Sequence, residues 1–126
     1  MIEPIFNDPQ YQSLKALLDL TAARQSAIAG NVANVNTPGF HRSDVDPAFQ
    51  KELERAIKAG DMEKVRNMIP KVAVDKKSPS LRMDGNNVNL EREMVELNKN
   101  NAQYEISASL ISKRYKMLRM AITGRS

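Results

Sequence analysis

Apolar side chains recur along the first third of the chain at alternating three- and four-residue steps: Tyr11, Leu14, Leu18, Thr21, Gln25, Ile28, Val32 and Val35. That spacing is a heptad seam with polar interruptions at Thr21 and Gln25, and it predicts one long helix. Asp8 is a good N-cap. Pro9 fits the first helical position, where its missing N–H goes unused. The helix is expected to stop near Asn36, because Thr37 precedes Pro38 and is pushed out of the α region. Pro38-Gly39 reads as the centre of a type II turn, with Gly39 supplying the positive φ. A second seam runs through Leu90, Met94, Leu97, Asn101, Tyr104, Ala108, Ile111, Tyr115, Leu118 and Ile122. It predicts a C-terminal helix of ~50 Å starting around Asn89, after the turn-forming stretch Asp84-Gly85-Asn86-Asn87. Glu91 and Glu93 suit the positive end of its dipole, and Lys113, Arg114, Lys116 and Arg119 crowd its last turns.

Between the seams the pattern shortens. Asp46-Pro47 repeats the cap-plus-proline start, Phe49, Leu53 and Ile57 mark one helical face, and Gly60 ends that helix. Asp61 caps a shorter helix through Met62, Val65 and Ile69, stopped by Pro70. Lys71 to Val74 is expected to be a short strand and Lys76 to Ser80 an exposed loop. The fold class is therefore mainly α. Long N- and C-terminal helices pair as an antiparallel coiled coil, and a short middle segment holds small helices, a loop and one short strand. Residues 1–40 and 84–126 form a terminal-helix assembly domain, with 41–83 as the middle. That middle is too short to hold a core without the long helices.

Composition sharpens this picture. The first helix carries only Asp8, Lys15, Asp19 and Arg24 between residues 8 and 35, and many of its other positions are Ala, Ser or Gly. A lone surface helix shows a charged outer face, so this one is expected to be surrounded, by neighbouring subunits or within a small bundle. The chain of 126 residues has no Cys, no Trp and one His. A disulfide framework and a thiol nucleophile are excluded. His41 beside Asp44 and Asp46 is a weak catalytic or metal constellation without a second His, so no catalytic, cofactor or metal site is expected. The net charge of +4 is mild and interspersed except near the C-terminus, which argues against nucleic acid as a partner. No apolar run reaches the ~20 residues of a membrane span. The segment Met1 to Phe6 lacks the basic-then-apolar order of a cleavable secretory signal.

One segment is more specific than any of these patterns. Asn31-Val32-Ala33-Asn34 closes the first seam and Thr37-Pro38-Gly39-Phe40 forms the turn after it. This resembles the N-terminal signature of bacterial flagellar rod and hook axial proteins. Asp84 to Met94, with the later Asn101, Tyr104, Ile111 and Lys113-Arg114, is similar to the second half of that pattern. The short middle resembles the short, proximal-rod members, since longer members insert β domains there. The likeness covers roughly residues 10–45 and 80–122, and residues 46–79 match nothing recognisable. Taken from the residues themselves, Asn31 and Asn34 lie on one face and are expected to bond freed helix-end carbonyls, with Phe40 tucking back against the helix.

The resemblance implies a structural subunit, not an enzyme, assembling through its terminal helices into the axial rod that transmits torque from motor to hook. It implies a place in the periplasmic rod of the basal body, reached by flagellar type III export without a cleaved signal. Implied partners are other rod proteins, copies of the chain itself, and export-gate or ring components at the rod base. The implied assembly seam is Leu14, Leu18, Ile28 and Val32 with Leu90, Met94, Leu97, Tyr104, Ile111, Tyr115 and Leu118. The competing reading is a soluble coiled-coil adaptor or assembly protein. It shares the seams but requires neither the Thr-Pro-Gly-Phe turn nor the charge-poor first helix.

Overall fold

The computed structural model describes residues 8–124. Met1 to Phe6, whose signal-like character was considered above, lie outside the described residues. Six elements follow in order: α1 (Pro9–Ala33), β1 (Ser43–Val45), α2 (Pro47–Ala59), α3 (Met62–Asn67), β2 (Val72–Val74) and α4 (Leu90–Thr123). The long helices α1 and α4 pack against each other. Their cross-contacts run Asn31 to Glu93, Thr21 to Asn100 and Gln10 to Arg114, so the pair is antiparallel.

The helix starts follow the residues that dictate them. The Asp46 carboxylate accepts from the Ala48 N–H at 2.9 Å, and Gly60 closes α2 with φ 71°. Asp61 accepts from the Lys64 N–H and Asn89 from the Arg92 N–H, opening α3 and α4. Asp8 departs from this rule. Its side chain makes no cap bond and instead pairs with Arg114, tying the start of α1 to α4.

Several boundaries differ from expectation. Helix α1 ends at Ala33, with Asn34 as its cap, three residues short of Asn36. Ile69 lies beyond α3 and is exposed, because the backbone is already extended at Met68. The expected strand near Lys71 is present as β2, but its antiparallel partner β1, paired Ser43 with Val74 and Val45 with Val72, was not expected. Three residues next to a proline cap give too little alternation to reveal a strand.

The core sits where α1 meets the middle segment. Leu20 of α1, Val45 of β1, Leu53 and Ala56 of α2 and Val65 of α3 are buried together, flanked by Ala16, Ala23, Phe49 and Ile57. The middle thus borrows α1 to close its core. Helix α1 packs on α4 along one side and on β1 and α3 along another. Part of its charge-poor surface is therefore satisfied within the chain.

Candidate functional site

The turn after α1 takes the expected form. The Phe40 N–H donates to the Thr37 carbonyl at 3.2 Å across Pro38-Gly39, and Gly39 has φ 73°. A second turn locks onto it. The Gly39 N–H donates to the Asp84 carbonyl at 2.8 Å, and the Asn87 N–H to the Phe40 carbonyl at 3.2 Å. Buried Asn86 aims its amide at the carbonyls of Asn34, Val35 and Thr37, at 2.9, 3.1 and 2.8 Å. These carbonyls belong to the cap and the turn that follow α1, where no helical partner is available to them. Asn86 was anticipated only as turn chemistry.

The two motif asparagines divide the labour. Asn34 bonds a helix-end carbonyl, as expected, donating to Gly30 at 2.8 Å. Asn31 does not. Its fully buried amide grips both backbone groups of Ser43, donating to the carbonyl and accepting from the N–H, each at 2.8 Å. It also donates to Glu93 at 3.1 Å. The earlier assignment fails because the side chain at position 31 faces β1, away from the helix end. Phe40 is half-buried.

Around Asn31 lies a buried ionic network joining α1, β1, α4 and Asp75, the residue after β2. Arg42 is 3% exposed and Glu93 0% exposed. The Arg42 Nε donates to Glu93 at 2.7 Å and one terminal nitrogen to Asp75 at 2.6 Å, while the other lies 3.5 Å from Asp44. Arg24 forms a two-pronged pair with Asp44, 3.1 Å on each side, and donates to Glu96 at 2.8 Å. Burial alone would lower the pKa of Arg42, but its bonds to Glu93 and Asp75 hold it above the ordinary value. Arg24 is raised likewise, with Asp44 and Glu96 outweighing burial. Burial would raise Asp75, yet bonds from Ser78, the Lys77 N–H and Arg42 hold it well below the usual carboxylate range. Glu93 was expected to serve the dipole of the first turn of the last helix, and no role was expected of Arg42. The one available signal was Arg24, a rare charge in a charge-poor helix.

This network sets the rotation of α4. The residues of α4 buried against α1 are Glu93, Asn100 and Ser107, seven apart. The anticipated seam ran through Met94, Asn101 and Ala108, one position further on. Leu97, Ile111 and Leu118, all half-buried, belong to both rows, and the row beside them differs. Thr21 and Gln25 do meet an asparagine, but it is Asn100, whose amide donates to the Thr21 carbonyl at 2.8 Å and to Gln25 at 3.1 Å. Asn101 is exposed. As a consequence much of the anticipated seam of α4 is open: Leu90 45%, Met94 42%, Tyr104 50% and Tyr115 62% exposed. On α1, Leu14, Leu18 and Val32 are half-buried and Ile28 is fully buried.

Among the described residues no cluster of His, Cys, Asp or Glu has the geometry of a metal site, and no helix is long and apolar enough to cross a membrane. His41 is exposed and stands apart from the ionic network.

Comparison with known proteins agrees with the turn. A family model described as "Flagella basal body rod protein" matches residues 18–41, from the middle of α1 through Phe40. The flagellar basal body rod protein FlgB of Borrelia hermsii is 34% identical over 122 residues, covering 83% of this chain and 89% of the relative. That of Escherichia coli K12 is 32% identical over 115 residues, covering 79% and 82%.

Proposed function

The chain belongs to the family of the flagellar basal body rod protein FlgB, a structural component of the basal body rod, and we propose that it builds the rod through the outward apolar flank of its terminal helices. The supporting observation is the division of α4 into two faces. Its α1-facing row is polar and closed by hydrogen bonds within the chain, whereas Leu90, Met94, Tyr104 and Tyr115 face outward. Exposed side chains of that size, in one stripe, mark an interaction surface. Burying each in an interface contributes roughly 1.5–3 kcal/mol.

On this reading residues 1–40 and 84–126 act as the assembly unit and the middle segment faces outward or meets specific neighbours. The partners are other rod proteins, further copies of the chain, and export-gate or ring components at the rod base. The assembled subunit sits in the periplasmic rod, exported without a cleaved signal, and carries torque from motor to hook. The buried ionic joint suits such a load, since it ties the two helices and the middle into one body at the end where they connect.

The test separates folding from assembly. Met94→Asp and Tyr104→Asp change exposed positions, so each variant is expected to fold with an unchanged helical signal. Each is then expected to fail to restore motility, or basal-body rods by electron microscopy, in a strain lacking the gene. Normal rods from the double variant would refute assembly through this flank.

A further inference from the structure

The small sheet of the middle segment has two outer edges, and the chain treats them differently. The Asp75 N–H donates to the Arg42 carbonyl at 2.9 Å, and Asp44 lies opposite Ala73. Antiparallel ladders alternate every second residue, so Arg42 and Asp44 turn their backbone groups toward β2 while Ser43 and Val45 turn theirs away. That outer edge of β1 is closed by side chains. Asn31 takes both backbone groups of Ser43. Gln50 donates to the Val45 carbonyl at 3.1 Å, and the Asp44 carboxylate accepts from the Val45 N–H at 2.7 Å. On β2 the same alternation turns the N–H and C=O of Val72 and Val74 outward. No hydrogen bond reaches these groups among the described residues, and both side chains are exposed.

We propose that the free edge of β2 accepts an extended segment of another protein as a third strand, one with apolar side chains at alternate positions and carboxylates at its ends. Outward donors and acceptors on every second residue match an extended backbone, not a helix, whose own groups are bonded internally. Side chains of that strand beside Val72 and Val74 form cross-strand apolar pairs. Its charge follows from what brackets the edge. Lys71 stands directly before Val72, and Lys76 and Lys77 follow shortly after Val74. All three are exposed and form no ion pair among the described residues. Asp75, which lies between them, is already held by Arg42 and Ser78. The same lysines argue against a second β2. Antiparallel pairing would set the Lys71 end of one copy against the Lys76-Lys77 end of the other, and like charges facing across strands are destabilising. A guarded edge carries its lysine within the strand; here valines present the edge and the lysines only bracket it.

The experiment uses the full chain and synthetic peptides of about nine residues, enough for one strand. Each alternates Val and Thr. One carries two Glu at each end and a second carries two Lys. A third is the Glu peptide with every Val and Thr N-methylated, so that it lacks strand donors. Binding is followed by amide NMR shifts and hydrogen exchange of the protein. The Glu peptide is expected to slow exchange at Val72 and Val74 at least tenfold, and to weaken with salt. The Lys peptide is expected to bind at least tenfold more weakly and the N-methylated one not at all. Val74→Pro removes an outward N–H that β1 does not use, so it should keep the helical signal and lose the Glu peptide. K71E/K76E/K77E, at exposed positions, should keep the fold and prefer the Lys peptide, which decides the matter even if the proline variant unfolds. Equal binding of the Glu and Lys peptides, binding of neither, or binding of the N-methylated peptide overturns the proposal. So does concentration-dependent protection of Val72 and Val74 without peptide, which would make a second copy the occupant, through β2 or through residues 1–7. None of these outcomes touches the apolar flank of the terminal helices, whose own test is rod formation.

Discussion

Removing the Glu93 carboxylate leaves Arg42 sealed in the protein with one fewer anion. Glu93→Ala deletes the 2.7 Å bond to Arg42 and the 3.1 Å bond from Asn31. Breaking one side of a buried pair costs about 3–5 kcal/mol, chiefly because the remaining charge stays desolvated. Arg42 keeps Asp75 at 2.6 Å and Asp44 at 3.5 Å, and Asn31 keeps Ser43. The lower end applies, about 3 kcal/mol, a large share of the ~5–15 kcal/mol that holds a domain of this kind. In a thermal melt that is a fall of roughly 10 °C. Urea unfolding followed by far-ultraviolet circular dichroism measures it directly. Glu105→Ala, at an exposed position without an ion pair, is the control and should change stability by less than about 0.5 kcal/mol. The pair Glu93→Leu with Arg42→Met removes both charges and should be less destabilising than Glu93→Ala alone. If Glu93→Ala costs under about 1 kcal/mol, or the double variant is the worse of the two, the joint is not held by a desolvated ion pair.

Acid should act through the same joint. Because the Asp75 pKa is depressed in the folded state, its contribution is fully present above the unfolded carboxylate value of about 3.9 and is lost as pH falls through the folded one. Urea melts of the wild type between pH 3 and 7 should therefore show an acid limb that Asp75→Asn flattens, and an unchanged limb would refute this. Gly39→Val should cost about 1–3 kcal/mol through the positive φ alone, since nothing lies within 4 Å of the added Cβ; equal urea midpoints for the two proteins would show that the turn does not require glycine. Asn100→Leu should change stability by no more than about 1 kcal/mol, because the Thr21 carbonyl it frees lies inside α1 and keeps its helical bond, and Gln25 is only half-buried. It should nevertheless broaden the oligomeric distribution in light scattering, as a lost register residue does. A single monomeric species would count against that role.

The elements legible in the sequence were those whose cause is local. Asp46-Pro47, Gly60, Asp61 and Asn89 each act within four residues of themselves, and each opens or closes a helix where its chemistry directs. The Thr37 to Phe40 turn follows from one proline and one glycine. What stayed hidden depends on partners distant in sequence. Arg42 and Glu93 are 51 residues apart, and nothing near either announces the other. Asn86 reads as a turn residue because its role, holding the turn after α1, is fixed by a segment 49 to 52 residues upstream. The strand β1 exists because β2 and Asn31 hold its backbone.

The one-residue shift in α4 carries the functional consequence. A heptad read from apolar residues assumes that the apolar stripe faces the nearest helix. In α4 the stripe and the contact face share Leu97, Ile111 and Leu118 and differ by one position in the row beside them, which moves the centre of the face by about 50° of helical rotation. The displacement is held by Glu93 at one end, bonded to Arg42 and Asn31, and by Asn100 at the centre, bonded to Thr21 and Gln25. Rotating α4 to bury Met94 would carry Glu93 away from Arg42 and leave that guanidinium without its closest α4 partner. The ionic joint thus opposes the rotation that would hide the apolar stripe inside the subunit. A subunit built to assemble needs such opposition, because an apolar stripe that folds inward is lost to its neighbours. On the proposed assembly reading the polar residues of the seam therefore have a double effect: they favour the antiparallel register, and they hold Leu90, Met94, Tyr104 and Tyr115 at the surface, where another subunit would cover them.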